Sequence, residues 1–165
     1  MTISVGDRLP EATFTMMSED GPQRLSTGEV FSGQTVAMFA LPGAFTPTCS
    51  ARHLPGFIEK AADLRAKGVD RIVCLSVNDV FVMDAWGREQ GAGKDVMMLA
   101  DGNGDFAKAI GLEMDGSAFG MGLRSKRYSM IVRDGVVSEL NLEQPGEFTV
   151  SSADYLIGQL DSVNT

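Results

Sequence analysis

Short apolar runs alternate with longer amphipathic stretches through the middle of the chain. Two mostly apolar runs, 36–41 and 71–77, have the length of buried strands, and each is followed by a stretch with helical spacing, at 48–66 and 79–90. Strands that alternate with helices build β-α-β units, which place consecutive strands parallel in one sheet. The sequence therefore predicts an α/β fold with a partly parallel sheet.

Shorter elements extend this pattern toward the C-terminus. We expect a strand at 96–100 and a short helix at 104–110. The Asp-Gly pair at 134–135 is a strong signal for a two-residue hairpin turn, and it separates strand-like runs at 127–133 and 136–142. Antiparallel strands are therefore expected to join the sheet.

Helical spacing also assigns the inward faces of two helices. The helix at 79–90 and a final helix that begins near Ser151 or Ser152 each carry apolar side chains at helical spacing. We expect the following side chains to face the core: Phe81, Val82, Ala85 and Trp86 in the first helix, and Tyr155, Leu156 and Leu160 in the final one.

The chain has the length of one domain. Its 165 residues can bury a single hydrophobic core, and no internal repeat, low-complexity tract or long linker divides them. Residues 1–35 are interrupted by Gly and Pro, so we expect short strands and loops there. The sequence thus predicts one domain spanning residues 1–165.

Composition argues against two classes of partner. The net charge of −8 disfavours a nucleic-acid surface, and the one tight group of basic residues, Arg124, Lys126 and Arg127, would suit a local anion or substrate site. No apolar run approaches the ~18 residues that span a membrane, and the first residues lack the pattern of a signal peptide. We therefore expect a cytoplasmic protein without membrane contact.

The two cysteines, Cys49 and Cys74, favour catalysis or redox sensing over a disulfide framework. No Cys-x-x-Cys pair or Cys/His set indicates zinc, and the single histidine, His53, cannot build a metal site alone. Cys74 lies within the predicted central strand 71–77, where a packing role is favoured. A disulfide between the two would require α-carbons within ~7 Å.

Cys49 stands at the junction between the strand 36–41 and the helix that follows it. Pro47 suits the first position of a helix, and Thr46 before it suits the N-cap. Cys49 then falls in the first helical turn, where the helix dipole favours an anion, so we expect a reactive thiolate. The Thr46 hydroxyl is expected to accept from amides near Cys49 or to contact a substrate. The alternative is an inert, buried cysteine at an ordinary helix start.

Pro42, Thr46 and Cys49 fit the Pro-x-x-x-Thr-x-x-Cys motif of the type II peroxiredoxins, and the chain resembles this family over nearly its whole length. Four further segments carry the resemblance: 5–10, 49–57, 76–79 and 126–130. The resemblance implies a thioredoxin-like fold, with a central mixed β-sheet flanked by helices and an N-terminal extension.

The resemblance also implies an activity and a role for each motif residue. Family members reduce hydrogen peroxide and organic hydroperoxides without metal, haem or flavin, through a cysteine that becomes sulfenic acid, here Cys49. Arg127 matches the arginine that holds the thiolate and the peroxide, and the Thr46 hydroxyl with the amides of the loop 43–49 would complete the cradle. Pro42 would shield the sulfur. Strand pattern alone would make Arg127 a solvated residue or a surface ion-pair member.

The oxidised sulfur must be reduced by a second thiol, which lies either in the same chain or in another molecule. Some relatives carry a resolving cysteine within 147–152, where this chain has none. The implied reductant is therefore external, glutathione with glutaredoxin first and thioredoxin second. Many type II relatives have a cysteine at the position of Cys74, so an assisting role in reduction stays open. Family members commonly pair as dimers, and we expect a homodimer here.

Three other functions compete with a peroxidase. Cys49 would serve a peroxide-sensing regulator if its oxidation altered binding to a partner. A cysteine hydrolase or transferase needs a base, and His53, four residues on along the same helical face, is a candidate, although a packing or interface role is favoured for it. A disulfide oxidoreductase is disfavoured because position 46 is Thr, where a Cys-x-x-Cys motif would have its other cysteine.

Aromatic residues and a glycine-rich stretch complete the set of candidates. Trp86, Phe45 and Phe119 are expected in the core or at a dimer contact rather than as substrate platforms. The stretch 116–122 lacks the lysine pattern of a phosphate-binding loop. We expect it to be a flexible segment near the active site or an interface.

Overall fold

A seven-stranded mixed sheet forms the centre of the computed structural model, which describes residues 2–163. The strands in this part of the chain are β1 (Thr13–Ser18), β2 (Gly21–Ser26), β3 (Thr35–Leu41), β4 (Arg71–Ser76), β5 (Met97–Ala100), β6 (Glu113–Asp115), β7 (Leu123–Ser125), β8 (Tyr128–Arg133) and β9 (Val136–Leu142). The central sheet has the order β2-β1-β5-β4-β3-β8-β9, and β6 pairs with β7 apart from it. The strand pairs β3-β4 and β4-β5 are parallel, whereas β3-β8 and β8-β9 are antiparallel. The predicted mixed sheet is confirmed.

Helices lie on both faces of this sheet. The α-helices are α1 (Thr27–Phe31), α2 (Leu54–Glu59), α3 (Ala61–Ala66), α4 (Val80–Gln90), α5 (Asp105–Ala109) and α6 (Ala153–Val163), joined by a π-helix at Cys49–His53 and a 3-10 helix at Ser117–Phe119. One hydrophobic cluster packs α2, α3, α4 and α6 against the sheet, and a second packs α1, α5 and the N-terminal segment against the opposite face. Within residues 2–163, no helix has the length and apolar character needed to cross a membrane.

The position of β3 inside the sheet explains why its residues 36–41 are all apolar. Ala37, Phe39 and Leu41 belong to the cluster with α2 and α4, while the alternate residues of the same strand belong to the cluster on the other face. Successive side chains of a strand point to opposite faces, so a strand covered on both sides has no polar positions. The apolar runs in β3 and β4 are therefore the signature of a doubly covered sheet.

The loop that carries the predicted site residues Pro42, Thr46 and Cys49 begins at the carboxyl end of β3. Leu41 at the end of β3 pairs with Ser76 at the end of β4, so the loops that follow these strands emerge side by side. Asn78 joins the two loops, because its Oδ1 accepts from the amide of Ala44 at 3.0 Å and from the hydroxyl of Ser76 at 2.6 Å. This edge of a parallel sheet is a common position for ligand sites.

The β8–β9 hairpin brings a distant residue to the same edge. Its turn contains Asp134 with φ of 49° and Gly135 with φ of 80°, as the predicted two-residue turn requires. Because β8 is antiparallel to β3, Tyr128 at its start pairs with Ala40 near the end of β3. Arg127, the residue before β8, is thereby placed next to the loop that follows β3.

Two predicted helix faces are corrected by the structure. In α4 the buried residues are Val80, Met83, Trp86 and Gly87, whereas Phe81 is 64% exposed and Ala85 is also exposed. Gly87 lies so close to Met98 of β5 that a Cβ there would be 2.7 Å from its Cγ, so the glycine side of the helix packs on the sheet. The spacing of apolar residues could not reveal a face that depends on glycine. In α6, Leu156 and Leu160 are buried as expected, but Tyr155 is 42% exposed.

Candidate active site

The loop between β3 and the π-helix is folded tightly on itself. Both the amide and the hydroxyl of Thr46 donate to the carbonyl of Gly43, at 3.4 and 2.7 Å. Phe45 between them has φ of 65°, an uncommon backbone conformation for a residue with a side chain. The predicted capping role of Thr46 is wrong, because its hydroxyl points back into the loop rather than toward the amides of the helix. Its oxygen retains lone pairs that can accept a further hydrogen bond.

Cys49 begins an irregular helical turn. Pro47 and Thr48 are already helical, which confirms the predicted helix start, and Cys49 opens the π-helix, in which the Leu54 amide donates to the Cys49 carbonyl. The predicted continuous helix 48–66 is wrong: it is divided into the π-helix, α2 and α3. Pro55 lacks an amide hydrogen, so it cannot extend a regular α-helical pattern through this region. π-helical turns occur often at functional sites.

Arg127 reaches the sulfur of Cys49 across 78 positions of sequence. Its Nη2 donates to Sγ at 3.1 Å, and the cysteine side chain is fully buried. A guanidinium is always charged, and its hydrogen bond to sulfur stabilises the anionic form of the thiol. The structure therefore brings together Cys49 and Arg127, two of the predicted site residues.

His53 lies behind Arg127 and is fully buried. Its Nδ1 is 2.8 Å from Nη1 of Arg127, and its Nε2 is 2.9 Å from the carbonyl oxygen of Ser151. A guanidinium only donates and a carbonyl only accepts, so the ring is neutral, with its hydrogen on Nε2. Burial, together with the nearby charge of Arg127, lowers the pKa of His53 to about 3.

This arrangement weakens the hydrolase hypothesis, which required His53 as a base for the thiol. The lone pair of Nδ1 is directed at the guanidinium of Arg127, which in turn contacts Sγ of Cys49. The histidine is therefore a partner of the arginine, not of the sulfur. The packing role favoured from the sequence agrees better with the buried position of His53, but it did not include the hydrogen bond between His53 and Arg127.

Glu143 anchors the irregular segment that carries Ser151. The buried carboxylate accepts from the amides of Thr149, Val150 and Ser151 at 2.8 to 2.9 Å, and from the Ser151 hydroxyl at 2.6 Å. Burial by itself would raise the pKa of Glu143, but these hydrogen bonds outweigh it and the pKa is lowered. Sequence reasoning missed this residue, since a glutamate after a strand carries no distinctive signal.

Phe148 covers the His53–Arg127 pair. Its ring centroid is 5.0 Å from that of His53 and 5.9 Å from the guanidinium carbon of Arg127, and Arg52 stacks on it at 4.7 Å. Such cation–π contacts favour a fixed arginine and limit water around it. The sequence-based prediction also did not identify Phe148, because an isolated aromatic residue in a loop carries no distinctive signal.

A cavity of about 340 Å³ opens beside these residues. Pro42, Thr48 and Arg127 line it, and the apolar side chains of Met114 and Leu142 are among the other lining groups. A small peroxide has ample room in this volume. Pro42, in the loop that bears Cys49, thus borders the same cavity as Arg127.

The basic group predicted as one cluster is divided by the structure. Arg124 donates from Nε to the Met121 carbonyl at 2.9 Å and from Nη1 to the Val77 carbonyl at 3.3 Å, so it supports backbone. A Cβ on Gly43 would be 3.0 Å from its Nη1, which places Arg124 behind the active-site loop. The glycine-rich stretch joins β6 to β7, a hairpin that the sequence did not predict, and it lies near the site as expected.

Cys74 is fully buried in β4, as predicted. Burial raises the pKa of its thiol well above the usual range, and the charge of Cys49 adds to this. Both cysteines are free thiols in the structure. Cys74 is therefore held as a neutral thiol in an apolar strand.

The family model "Redoxin" matches residues 4–157. The chain is 52% identical to peroxiredoxin-2E-2, chloroplastic, of Oryza sativa subsp. japonica, with 96% of this chain and 73% of that protein covered. It is 48% identical to peroxiredoxin-2B of Arabidopsis thaliana, with 96% and 98% covered. The crystal structure of reduced Prx3 in complex with H2O2 from Vibrio vulnificus matches with a TM-score of 0.93 at 50% identity, with 96% and 99% covered.

Proposed function

This chain belongs to the redoxin family as a type II peroxiredoxin with a thioredoxin-like fold, a thiol-dependent peroxidase, and we propose that Cys49 is the sulfur that attacks the peroxide. The observation that carries this proposal is the hydrogen bond from Arg127 to Sγ at 3.1 Å. It places a permanent positive charge on a buried thiol at the start of a helix. A thiolate is the nucleophilic form of cysteine, and both features favour it.

The reaction follows from this geometry. The thiolate of Cys49 attacks the terminal oxygen of the hydroperoxide, a sulfur–oxygen bond forms and the O–O bond breaks. Sulfur gives up two electrons and becomes sulfenic acid, while the other oxygen leaves, takes a proton from water and departs as water or an alcohol. Donors that face the leaving oxygen stabilise its developing charge. The guanidinium of Arg127 and the loop amides are the donors assigned here. The Thr46 hydroxyl, whose hydrogen is given to the Gly43 carbonyl, is assigned to accept a hydrogen bond from the O–H of the incoming peroxide.

Pro42 is assigned a shielding role. It is half-buried, and it lines the same cavity as Arg127. A ring at this point limits the access of a second, water-borne peroxide to the sulfenic acid and so slows its further oxidation. Its function is one of packing, not of proton or electron transfer.

An external thiol reduces the sulfenic acid in this proposal, with glutathione and glutaredoxin first and thioredoxin second. The first thiol forms a mixed disulfide with Cys49 and releases water, and a second thiol frees Cys49 and leaves as a disulfide of the reductant. The support is that Cys49 and Cys74 are the two cysteines of the sequence, and that Cys74 is buried within β4.

We assign residues 1–165 to one domain that acts as a cytoplasmic homodimer. Two buried free thiols suit a reducing compartment. Phe45 and Phe119 are 51% and 80% exposed near the active-site loop and the adjoining hairpin, and a second copy of the chain would cover such aromatic surfaces. Sedimentation velocity checks the dimer, and cell fractionation checks the compartment.

Turnover with defined reductants tests the proposed function. The rate of hydrogen peroxide loss is measured with glutathione and glutaredoxin, and separately with thioredoxin, for the wild type, Cys49→Ser and Cys74→Ser. We expect the first variant to be inactive and the second to retain turnover, with the glutathione system faster. Fast oxidation of Cys49 followed by slow reduction in both systems would favour the peroxide-sensing regulator instead.

A further inference from the structure

A continuous chain of hydrogen bonds leads from a buried carboxylate to the reactive sulfur. Glu143 accepts from the amide and hydroxyl of Ser151 at 2.8 and 2.6 Å. The Ser151 carbonyl oxygen is 2.9 Å from Nε2 of His53, and Nδ1 of the same ring is 2.8 Å from Arg127. Arg127 completes the chain with its 3.1 Å bond to Sγ of Cys49.

We propose that His53 and Glu143 are positioning residues of the peroxidase, which act through Ser151 and hold the guanidinium of Arg127 at the sulfur of Cys49. This inference rests on the proposed role of Cys49. It adds two residues that contact neither sulfur nor peroxide, and whose effect on the reaction passes entirely through the arginine.

The neutral ring of His53 suits this task better than a charged partner would. Among residues 2–163, no carboxylate forms an ion pair with Arg127, so its positive charge is left for the sulfur and the peroxide. An imidazole lone pair fixes the direction of one N–H of the fork without neutralising the guanidinium. A carboxylate at the same place would compete with the thiolate for the charge.

Glu143 is negatively charged, but its carboxylate binds the segment 149–151 and not Arg127. Its oxygens are occupied by three backbone amides and two hydroxyls of residues 149–151, which have no regular secondary structure. These bonds fix the Ser151 carbonyl, which fixes the orientation and tautomer of His53. The same segment carries Phe148, whose ring lies against both His53 and Arg127. The loss of Glu143 would therefore loosen the support and the cover of the arginine together.

Two substitutions separate the two ends of the histidine ring. His53→Gln keeps a long amide that can still donate toward Ser151 but removes the acceptor next to Cβ that faces Arg127. His53→Asn keeps an acceptor at that near position but cannot reach Ser151. Both retain a polar group in a buried site, so they are expected to fold. Glu143→Gln tests the remote end. Its matched control is Glu139→Gln in β9, the strand that precedes Glu143, because the Glu139 side chain accepts from Gln159 of α6.

The rate constant for hydrogen peroxide with Cys49 is measured by stopped flow in the wild-type and Arg127→Gln backgrounds, with circular dichroism as a check on folding. We expect His53→Gln to lower the rate constant about tenfold or more in the wild-type background, since small misplacement of a reacting group is costly. We expect a smaller loss for His53→Asn and for Glu143→Gln, and none for Glu139→Gln.

The decisive result is the absence of any further loss in the Arg127→Gln background, because the positioned group is then gone. The pH profile of Cys49 alkylation by iodoacetamide should also move for His53→Gln and Glu143→Gln, and not for Glu139→Gln. Equal losses in both backgrounds, or a wild-type rate for His53→Gln, would overturn the inference. If Cys49 of the wild type did not react with peroxide, the proposed function itself would fail, which is a different outcome.

Discussion

Cys49 and Cys74 have the same burial and opposite surroundings. Both side chains are fully buried. Sγ of Cys49 accepts a hydrogen bond from the guanidinium of Arg127 at 3.1 Å. Cys74 instead pairs with Phe39 of β3 and Met98 of β5 in the central sheet. Burial raises the pKa of the Cys74 thiol well above its usual range. Burial by itself disfavours the thiolate of a cysteine, and the proposal above assigns the reactivity of Cys49 to the buried cation next to its sulfur.

Removing the cation should make Cys49 resemble Cys74. For Arg127→Gln we expect the rate constant with hydrogen peroxide to fall about 10²- to 10³-fold, the cost of losing one donor that stabilises charge in the transition state. Stopped-flow fluorescence or competition with a second peroxidase measures it. Arg133→Gln, at the exposed far end of β8, the strand that follows Arg127, is the matched control and should react like the wild type. A loss below about threefold in Arg127→Gln would contradict the comparison.

Uncovering the cation should have a smaller effect. For Phe148→Ala we expect about a fivefold loss in the same rate constant, the equivalent of ~1 kcal/mol for a cation–π contact. Tyr155→Ala removes an aromatic ring that is 42% exposed on α6 and serves as the control. If both variants reacted equally fast, Phe148 would be no more than a surface side chain.

Acid should lower the free energy of unfolding through His53, which lies next to Arg127 in the site of Cys49. The pKa of His53 is about 3, below the ordinary 6.5, because of burial and the charge of Arg127. The unfolded chain thus binds a proton more readily between these values, and the free energy of unfolding should fall as the pH drops below about 6.5, by up to ~1.4 kcal/mol per pH unit. Urea unfolding at several pH values measures this.

The variant His53→Gln gives the control for that titration. It has no histidine, so its free energy of unfolding should change less between about pH 7 and pH 5. The lowered pKa of Glu143 acts in the same direction only below its ordinary 4.5. Equal slopes for the wild type and His53→Gln in the upper range would show that His53 is not the group responsible.

The smallest effect on catalysis is expected at Cys74. For Cys74→Ala the rate constant of Cys49 with peroxide should change less than about twofold, while the free energy of unfolding falls by about 1 kcal/mol. Peroxide kinetics and chemical denaturation measure the two quantities. A large loss of turnover with preserved stability would bring Cys74 into the reaction cycle and would blur the difference between the two cysteines.

The region before Cys49 was predictable because its structure is determined locally. The apolar run of β3, Pro47 and the position of Cys49 in the first helical turn follow from neighbouring residues. Thr46 was mispredicted even so, because the carbonyl of Gly43 three residues earlier takes its hydroxyl. Short polar side chains choose between nearby backbone groups, and the sequence does not state which choice wins.

The other half of the site depends on contacts between distant parts of the chain. Arg127 was assigned only through the family resemblance, since strand alternation gave no reason for an arginine to face a sulfur 78 positions away. His53 was recognised but given a packing role, and Glu143 and Phe148 were not recognised. Their importance arises from an irregular segment that is held by one carboxylate. No periodic pattern in the sequence marks such a segment.

The most direct test of the central claim is to add one equivalent of hydrogen peroxide to the reduced protein in the presence of a sulfenic-acid trap, and to locate the modified sulfur by mass spectrometry. Cys49→Ser is the control. The structure predicts that Cys49 is trapped as sulfenic acid within the mixing time, while Cys74 remains a thiol. An unmodified Cys49, or oxidation that begins at Cys74, would contradict the account.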